Sequence, residues 1–305
     1  MLTPVSYDNS MDGEQAGESL IDTTYPMELL SDTAGGFWGV SVGSWLHIDA
    51  SGDAVRRFNL DEGVPSGAVA AITPTQLVVV SSDAVSGGGV VRVFDTETMS
   101  WDVVHEDSRP LGDVTVFGQD VLVVAYDYSA TPTFTVARLP LDEGVGAVDI
   151  TTPLPAVGQI ALDADSTGTI HLVTGEHRYT FAADGQLLAE VASRSERPLI
   201  SVNDRGDVLS SRQGTPQELS SFVAAGSAQA RAVIERHADC DPSGSGAAVD
   251  HLAIVTAETT VTTPFLCAPA GMTWITDDAF VVSVGDEGGA PLVLVTPPPR
   301  PGALS

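Results

Sequence analysis

The sequence predicts an all-β protein: a β-propeller of four-stranded antiparallel blades, seven or alternatively six of them, closed by an N-terminal strand. Three observations lead there. Short Val-, Leu- and aromatic-rich runs of five to eight residues fill the chain, each bounded by Gly, Asp or Ser turns. Helical periodicity is almost absent. The strand–turn order also repeats, with most second-strand anchors separated by roughly the 40–50 residues of a four-stranded blade. Those anchors are Trp38, Leu77, Leu122, Leu172, Leu209, Leu252 and Phe280. Radial repetition of such units leaves only short, protected edges, whereas a β-sandwich would not show tandem self-similarity.

The first unit runs from Glu28 to Leu60. "ELLS" leads through an Asp-x-x-Gly turn to "FWGVSV", a Gly-Ser turn to "WLHIDA", and "ASGD" to "AVRRFNL". Gly67 opens a second unit with a longer Gly-rich turn, and Gly112 a third. Gly158 opens "GQIALDADSTGTIHLVTGEHRYTFAADGQLLAEV", which repeats the first unit turn for turn. Pro198 opens a fifth unit, read as continuing to Glu235. The hairpin "DHLAIVTAETTVTTPFLC" reads as a reduced blade or a cross-linked insertion, and the choice between seven and six blades turns on it. From Met272 three strands follow, and "ESLIDTTY", Glu18 to Tyr25, is expected to supply the missing fourth. The expected organisation is an acidic flexible lead over residues 1–17, the propeller over 18–296 and a Pro-rich tail over 297–305.

The runs "ALDADSTGTIHLV…YTFAADGQLLAEV" and "SVNDRGDVLSS" resemble NHL-type and related six- to seven-bladed propeller repeats. Those repeats favour an apolar-Asp-x-x-Gly-x-apolar run and a later Phe-x-x-x-Gly turn. The resemblance implies an architecture shared by binding proteins, lyases and hydrolases, and fold alone assigns no activity.

Charge excludes several functions. There are 41 acids against 13 bases, a net charge of −28, and every base is Arg. Without lysine there is no Schiff-base lysine and no P-loop lysine. Dispersed Arg in so acidic a chain makes no phosphate-binding stripe, so nucleic acid is not an expected partner. No apolar run approaches the roughly 18 residues of a membrane span. The expected state is a monomer that binds a protein or small-molecule ligand.

Four kinds of candidate chemistry stand out. His171 and His251 each precede a second-strand anchor and are read as equivalent; facing the channel, they would be two ligands of a divalent transition metal, where a catalytic metal needs about three. His47 lies on a third strand and His177 is expected in a loop. The stretch Asp239 to Asp250, "DCDPSGSGAAVD", places Asp239, Asp241, Ser243 and Asp250 at loop positions that suit calcium, with Gly at position 6. It departs from the pattern at Pro242, Gly246 and Asp250, and a plain β-turn explains the same residues. "DADSTG" is a shorter echo. Cys240 and Cys267 read as a disulfide of an oxidising compartment, worth about 3 kcal/mol, or as two buried thiols. The four tryptophans fit packing between blades better than a carbohydrate platform. No Cys-x-x-Cys or His-Glu-x-x-His occurs in the chain. The first functional expectation is therefore a non-catalytic, extracytoplasmic or secreted binding scaffold. The alternative is a metal-dependent lyase or hydrolase with its site at the central channel.

Overall fold

The computed structural model describes residues 2–4, 28–41, 44–51, 54–59, 67–82, 87–141, 146–195, 198–214, 249–255, 260–262, 269–284 and 292–295. Their strands form six antiparallel sheets. Strand β1 (Leu2–Pro4) belongs to the last of them. The first sheet is β2 (Glu28–Ser31), β3 (Phe37–Ser41), β4 (Ser44–Ile48) and β5 (Ala54–Asn59). The second is β6 (Ala68–Thr73), β7 (Gln76–Ser82), β8 (Gly89–Asp95) and β9 (Ser100–Asp107). The third is β10 (Leu111–Phe117), β11 (Asp120–Asp127) and β12 (Thr133–Pro140), with β13 (Val148–Asp149) and β14 (Leu154–Pro155) both paired to β12. The fourth is β15 (Ala161–Ala164), β16 (Ile170–Val173), β17 (His177–Phe181) and β18 (Leu187–Ala192). The fifth is β19 (Ile200–Val202), β20 (Val208–Gly214), β21 (Val249–Val255) and β22 (Thr260–Thr262). The sixth is β23 (Pro269–Thr276), β24 (Ala279–Val284) and β25 (Leu292–Val295), with β1 on its outer edge.

The first strands of the six sheets make a closed ring. β2 touches β6, and contact passes in turn to β10, β15, β19 and β23, which returns to β2. Each sheet is packed on both faces by its neighbours, so its second strand is buried on both sides and is apolar at nearly every position. That is the origin of runs such as Leu77–Val80 and Val121–Ala125. Along β11, Val121 and Val123 pack with Val78, Val80 and Val91 of the second sheet. The alternate residues Leu122 and Val124 pack with Ile160, Leu172 and Phe181 of the fourth. Six of the expected anchors, Trp38, Leu77, Leu122, Leu172, Leu209 and Phe280, lie on second strands and are fully buried.

Turn chemistry fixes the link from first to second strand. Asp165 Oδ1 accepts the N–H groups of Thr167 and Thr169, both at 2.9 Å. Asp32 Oδ1 does the same for Ala34 and Gly36, and Asn203 Oδ1 for Arg205 and Asp207. Gly168 closes the Asp165 turn at φ +85°, and a Cβ there would stand 2.8 Å from the Phe117 ring. The "DADSTG" echo of a calcium loop is thus a turn whose first carboxylate oxygen already serves the backbone.

Three expectations are corrected. The hairpin at Val249–Thr262 is not a separate unit: β21 pairs with β20, with Gly214 opposite Val249, and supplies the third strand of the fifth sheet. Leu252 is therefore a third-strand residue, and among the described residues there is no seventh sheet. A repeat period cannot register a long excursion between two strands that remain hairpin neighbours. The strand on the outer edge of the sixth sheet is Leu2–Pro4, with Leu2 opposite Val295. It falls inside the segment read as a flexible lead, because three residues are too few to show alternation. Glu18–Tyr25 lies outside the described residues, as do most of the third and fourth strands read for the fifth unit. His177 opens β17 rather than sitting in a loop.

Candidate functional site

The ring of first strands encloses two cavities of about 260 and 440 Å³ that share Glu28, Leu29, Asp113, Ile200 and Met272 as walls. Together they trace the central channel from the starts of the first strands to the turns at their ends, where Thr33, Asp204 and Asp277 stand.

Three carboxylates on three first strands line this channel: Glu28 on β2, Asp113 on β10 and Asp163 on β15. Two of them tie sheet to sheet. The Leu162 N–H donates to Asp113 Oδ2 at 2.6 Å, from the fourth sheet to the third. The Val202 N–H donates to Asp163 Oδ2 at 2.7 Å, from the fifth to the fourth, while Thr115 Oγ1 donates to Asp163 Oδ1 at 2.8 Å. Ser201 continues the series: its Oγ accepts the Trp274 N–H of the sixth sheet at 3.1 Å. A first strand has its edge N–H groups facing the channel with no further strand to receive them, and these side chains satisfy them.

The same surroundings make the carboxylates reluctant to ionise. Burial pushes Asp113 up to about 7, with the charge of Asp163 adding to it and backbone donors opposing it. Burial likewise raises Asp163 to about 6, aided by Asp165. Glu28 rises to about 8, through its protein surroundings first and Asp113 second. Its side chain is nevertheless exposed toward the channel, which moderates the effect. Among the described residues no hydrogen bond reaches the Glu28 carboxylate.

The channel mouth at Asp204 and Asp277 is braced by Arg205. Its guanidinium donates to Asp278 Oδ1 at 2.7 Å and to the Asp277 carbonyl, joining the fifth and sixth sheets. Asn203 Nδ2 also donates to the Asp277 carbonyl, at 3.2 Å.

The histidines are not brought together. His171 sits on the second strand of its sheet, directly opposite Asp163 on one side and Thr180 on the other. It lies behind the channel wall rather than in it. Burial pushes it down to about 4, and its Nε2 stays 4.0 Å from Asp165 Oδ2. His251 is on the third strand of the next sheet, opposite Arg212. The two positions are not equivalent, because the excursion after Gly214 shifted the apparent alignment. Asp239, Asp241, Ser243, Cys240 and Cys267 lie outside the described residues, and Asp250 is placed only as the β21 partner of Gln213. Among the described residues no group of three His, Cys, Asp or Glu side chains is arranged to hold a metal ion.

The tryptophans pack. Trp45 meets Phe94 of the second sheet edge-on at 5.4 Å, and Trp101 at 6.1 Å. Trp274 Nε1 donates to the Ser201 carbonyl at 3.2 Å. Trp38 stacks on His47 at 4.3 Å, and His47 Nε2 is 2.8 Å from Asp32 Oδ2. The channel acids were missed in the sequence because 41 acids offer no obvious choice. The available signal was an Asp within an otherwise apolar first strand, as in "LGDVTVF" and "ALDA".

No family model and no curated protein matches this chain. Solved structures do resemble it. A Bacteroides thetaiotaomicron structural-genomics protein of unknown function superposes with a TM-score of 0.55 at 10% identity, covering 96% of this chain and 75% of that one. A gluconolactonase from Xanthomonas campestris gives 0.54 at 12% identity, over 90% of this chain and 89% of that one. Kuenenia stuttgartiensis hydrazine synthase gives 0.53 at 11%, over 93% and 99%. The chain is a β-propeller. At these identities the likeness of the propeller to its neighbours concerns the fold alone.

Proposed function

We propose that this protein is a six-bladed, non-catalytic binding propeller that works outside the cytoplasm and takes a cationic ligand, an amine or a small cation such as calcium, into its acidic channel. The observation that carries this reading is Glu28. It lines both cavities, no described donor reaches it, and Asp113 stands near enough to resist its ionisation. A cation there relieves the repulsion between the two carboxylates and gains from the low-dielectric wall around them. The net charge of −28 draws cations toward the molecule from a distance. The Cys240/Cys267 pair motivates the compartment, and the Asx-x-x-Gly turns at Asp165 and Asn203 keep the NHL-like repeat within the proposal.

Thermal melting with spermidine, and separately with calcium, tests it. A ligand held by the folded state raises the midpoint in a saturable way. The reading requires such a rise with at least one of the two and its loss in Glu28→Gln. A calcium-induced rise that survives Glu28→Gln but disappears when Asp239 and Asp241 are replaced would place the ion in the Asp239–Asp250 loop instead. No rise with either cation would remove the channel reading.

One observation favours a second reading, a metal-dependent lyase or hydrolase at the channel. Asp113 and Asp163 titrate near neutrality beside a cavity, where carboxylates can pass protons. Elemental analysis of gently purified protein separates the two: about one equivalent of a divalent transition metal supports the enzyme, and none sets it aside.

A further inference from the structure

The two chambers of the channel differ in chemistry. The smaller is hydroxyl-rich, with Ser31, Thr33, Thr115, Thr273 and Thr276 on its walls. The larger lies where the first strands begin and is walled by Leu29, Ile160, Ala161, Pro198, Leu199 and Met272. Among the described residues its only polar side chains are Glu28, Asp113, Tyr126 and Gln159. Both acids also border the smaller chamber, so they mark the waist between the two. At about 440 Å³ the larger chamber has the size of a small-molecule site, mostly apolar with a few convergent polar groups. Tyr126 is built into it. Its ring lies over Gly112, where a Cβ would stand 2.6 Å from the ring and 3.1 Å from the hydroxyl, so the close approach requires glycine. Tyr128 stacks on the same ring, with 5.5 Å between centroids and 8° between planes, and keeps 64% of its surface exposed. Asp113 is close enough for its charge to act on the Tyr126 phenol.

We infer that the cation this propeller takes is an organic amine with an apolar body, its ammonium group at the Glu28–Asp113 waist and its body in the larger chamber beside Tyr126. The inference rests on the cation-binding reading above and narrows it to one chemical class and one mouth of the channel. Calcium takes about six to eight oxygen ligands, more than the four polar side chains of this chamber supply. An apolar body suits the remaining wall, because burying it against Leu29, Ile160 and Met272 removes apolar surface from water on both partners. The charge also matches. With Asp113 raised to about 7 and Glu28 to about 8, the two acids together carry roughly one negative charge near neutral pH, which a single ammonium balances.

Titration calorimetry of the full chain near neutral pH with phenethylamine, methylamine, phenylethanol, spermidine and calcium chloride tests the inference. Phenethylamine is expected to bind saturably and about tenfold or more tighter than methylamine, which lacks the body. Phenylethanol, which keeps the body and lacks the charge, should not saturate. Tyr126→Leu should weaken phenethylamine about tenfold and leave methylamine unchanged. Gln159→Trp, at an exposed position on the same chamber, should exclude phenethylamine by narrowing the mouth. Melting without ligand checks that both variants fold, and Gln159→Trp carries the test if Tyr126→Leu does not. The inference is overturned if phenethylamine binds no tighter than methylamine, if phenylethanol binds as well as the amine, or if the folded variants bind like the wild type. Calcium or spermidine held through Glu28 with no preference for phenethylamine would sink this inference and leave the cation reading standing, whereas no binding by any of the cations would remove both.

Discussion

Asp163 on the fourth sheet accepts the main-chain N–H of Val202 on the fifth, at 2.7 Å, and thereby serves the ring twice. It replaces the pairing that a channel-lining strand cannot obtain from another strand, and it puts a carboxylate into the channel. Removing the acceptor separates these roles. Asp163→Ala leaves the Val202 N–H and the Thr115 hydroxyl without their partner, which costs about 1–3 kcal/mol. Asp163→Asn keeps an acceptor and should cost less. Urea denaturation of the two variants checks the order.

The channel carboxylates give the protein an inverted pH profile on the alkaline side. Asp163, Asp113 and Glu28 have folded-state values of about 6, 7 and 8, above their ordinary values of 3.8, 3.8 and 4.5. The folded state therefore binds more protons than the unfolded state between those limits, and stability falls as pH rises through that window. At the acid end the sign reverses. Asp107 is held below its usual range, first by the Arg109 hydrogen bond. Burial, the largest single influence on Asp32, works to raise it, but donors from His47, Ala34 and Gly36 outweigh that and hold it low. Their contribution is present above the ordinary value of 3.8 and is lost as pH falls through their lower folded values. The melting temperature should thus peak on the acid side of neutrality, and Glu28→Gln should flatten the alkaline limb.

His47 and His171 predict opposite responses to the same substitution. His47 is bonded to buried Asp32 and stacked on Trp38. His47→Phe leaves that carboxylate short of a donor and should cost about 2–4 kcal/mol. His171 is buried and neither ring nitrogen has a hydrogen-bond partner among the described residues. His171→Phe replaces an unsatisfied polar ring by an apolar one of similar size and should be neutral or stabilising. Guanidinium unfolding of both variants makes the comparison, and metal content measured on His171→Phe shows whether that histidine ligates anything.

Gly168→Ala should destabilise by about 1–2 kcal/mol or more, since the position combines a left-handed backbone with the Phe117 ring at 2.8 Å from any Cβ. The double variant Gly168→Ala/Phe117→Leu should recover the steric part and leave the backbone part, read from the shift in denaturation midpoint.

These residues also show what a sequence of this kind discloses. Leu77–Val80 and Val121–Ala125 are legible as second strands because burial on both faces leaves no polar alternation, and the Asp165–Gly168 turn is legible because its backbone geometry demands those residue types. The fifth sheet was not legible. Its third strand at Val249–Val255 pairs with Val208–Gly214 across an excursion that no local pattern bridges. The same excursion made His251 look like a counterpart of His171. The channel acids stayed hidden for another reason: what distinguishes Asp113 from any other aspartate is the Leu162 N–H of a different sheet, a relation that exists only once the ring is closed.

The pairing of Leu2 with Val295 sets an order of assembly. During synthesis β1 emerges before the other strands of the ring, and its partner β25 only after all of them. Four sheets can form by local hairpins, which close quickly; the fifth waits for Val249–Val255 to reach Val208–Gly214, and the sixth for a contact spanning almost the entire sequence. Until then the outer edge of β25 is a vacant docking strand, and the earliest strand of the ring is the last to be placed.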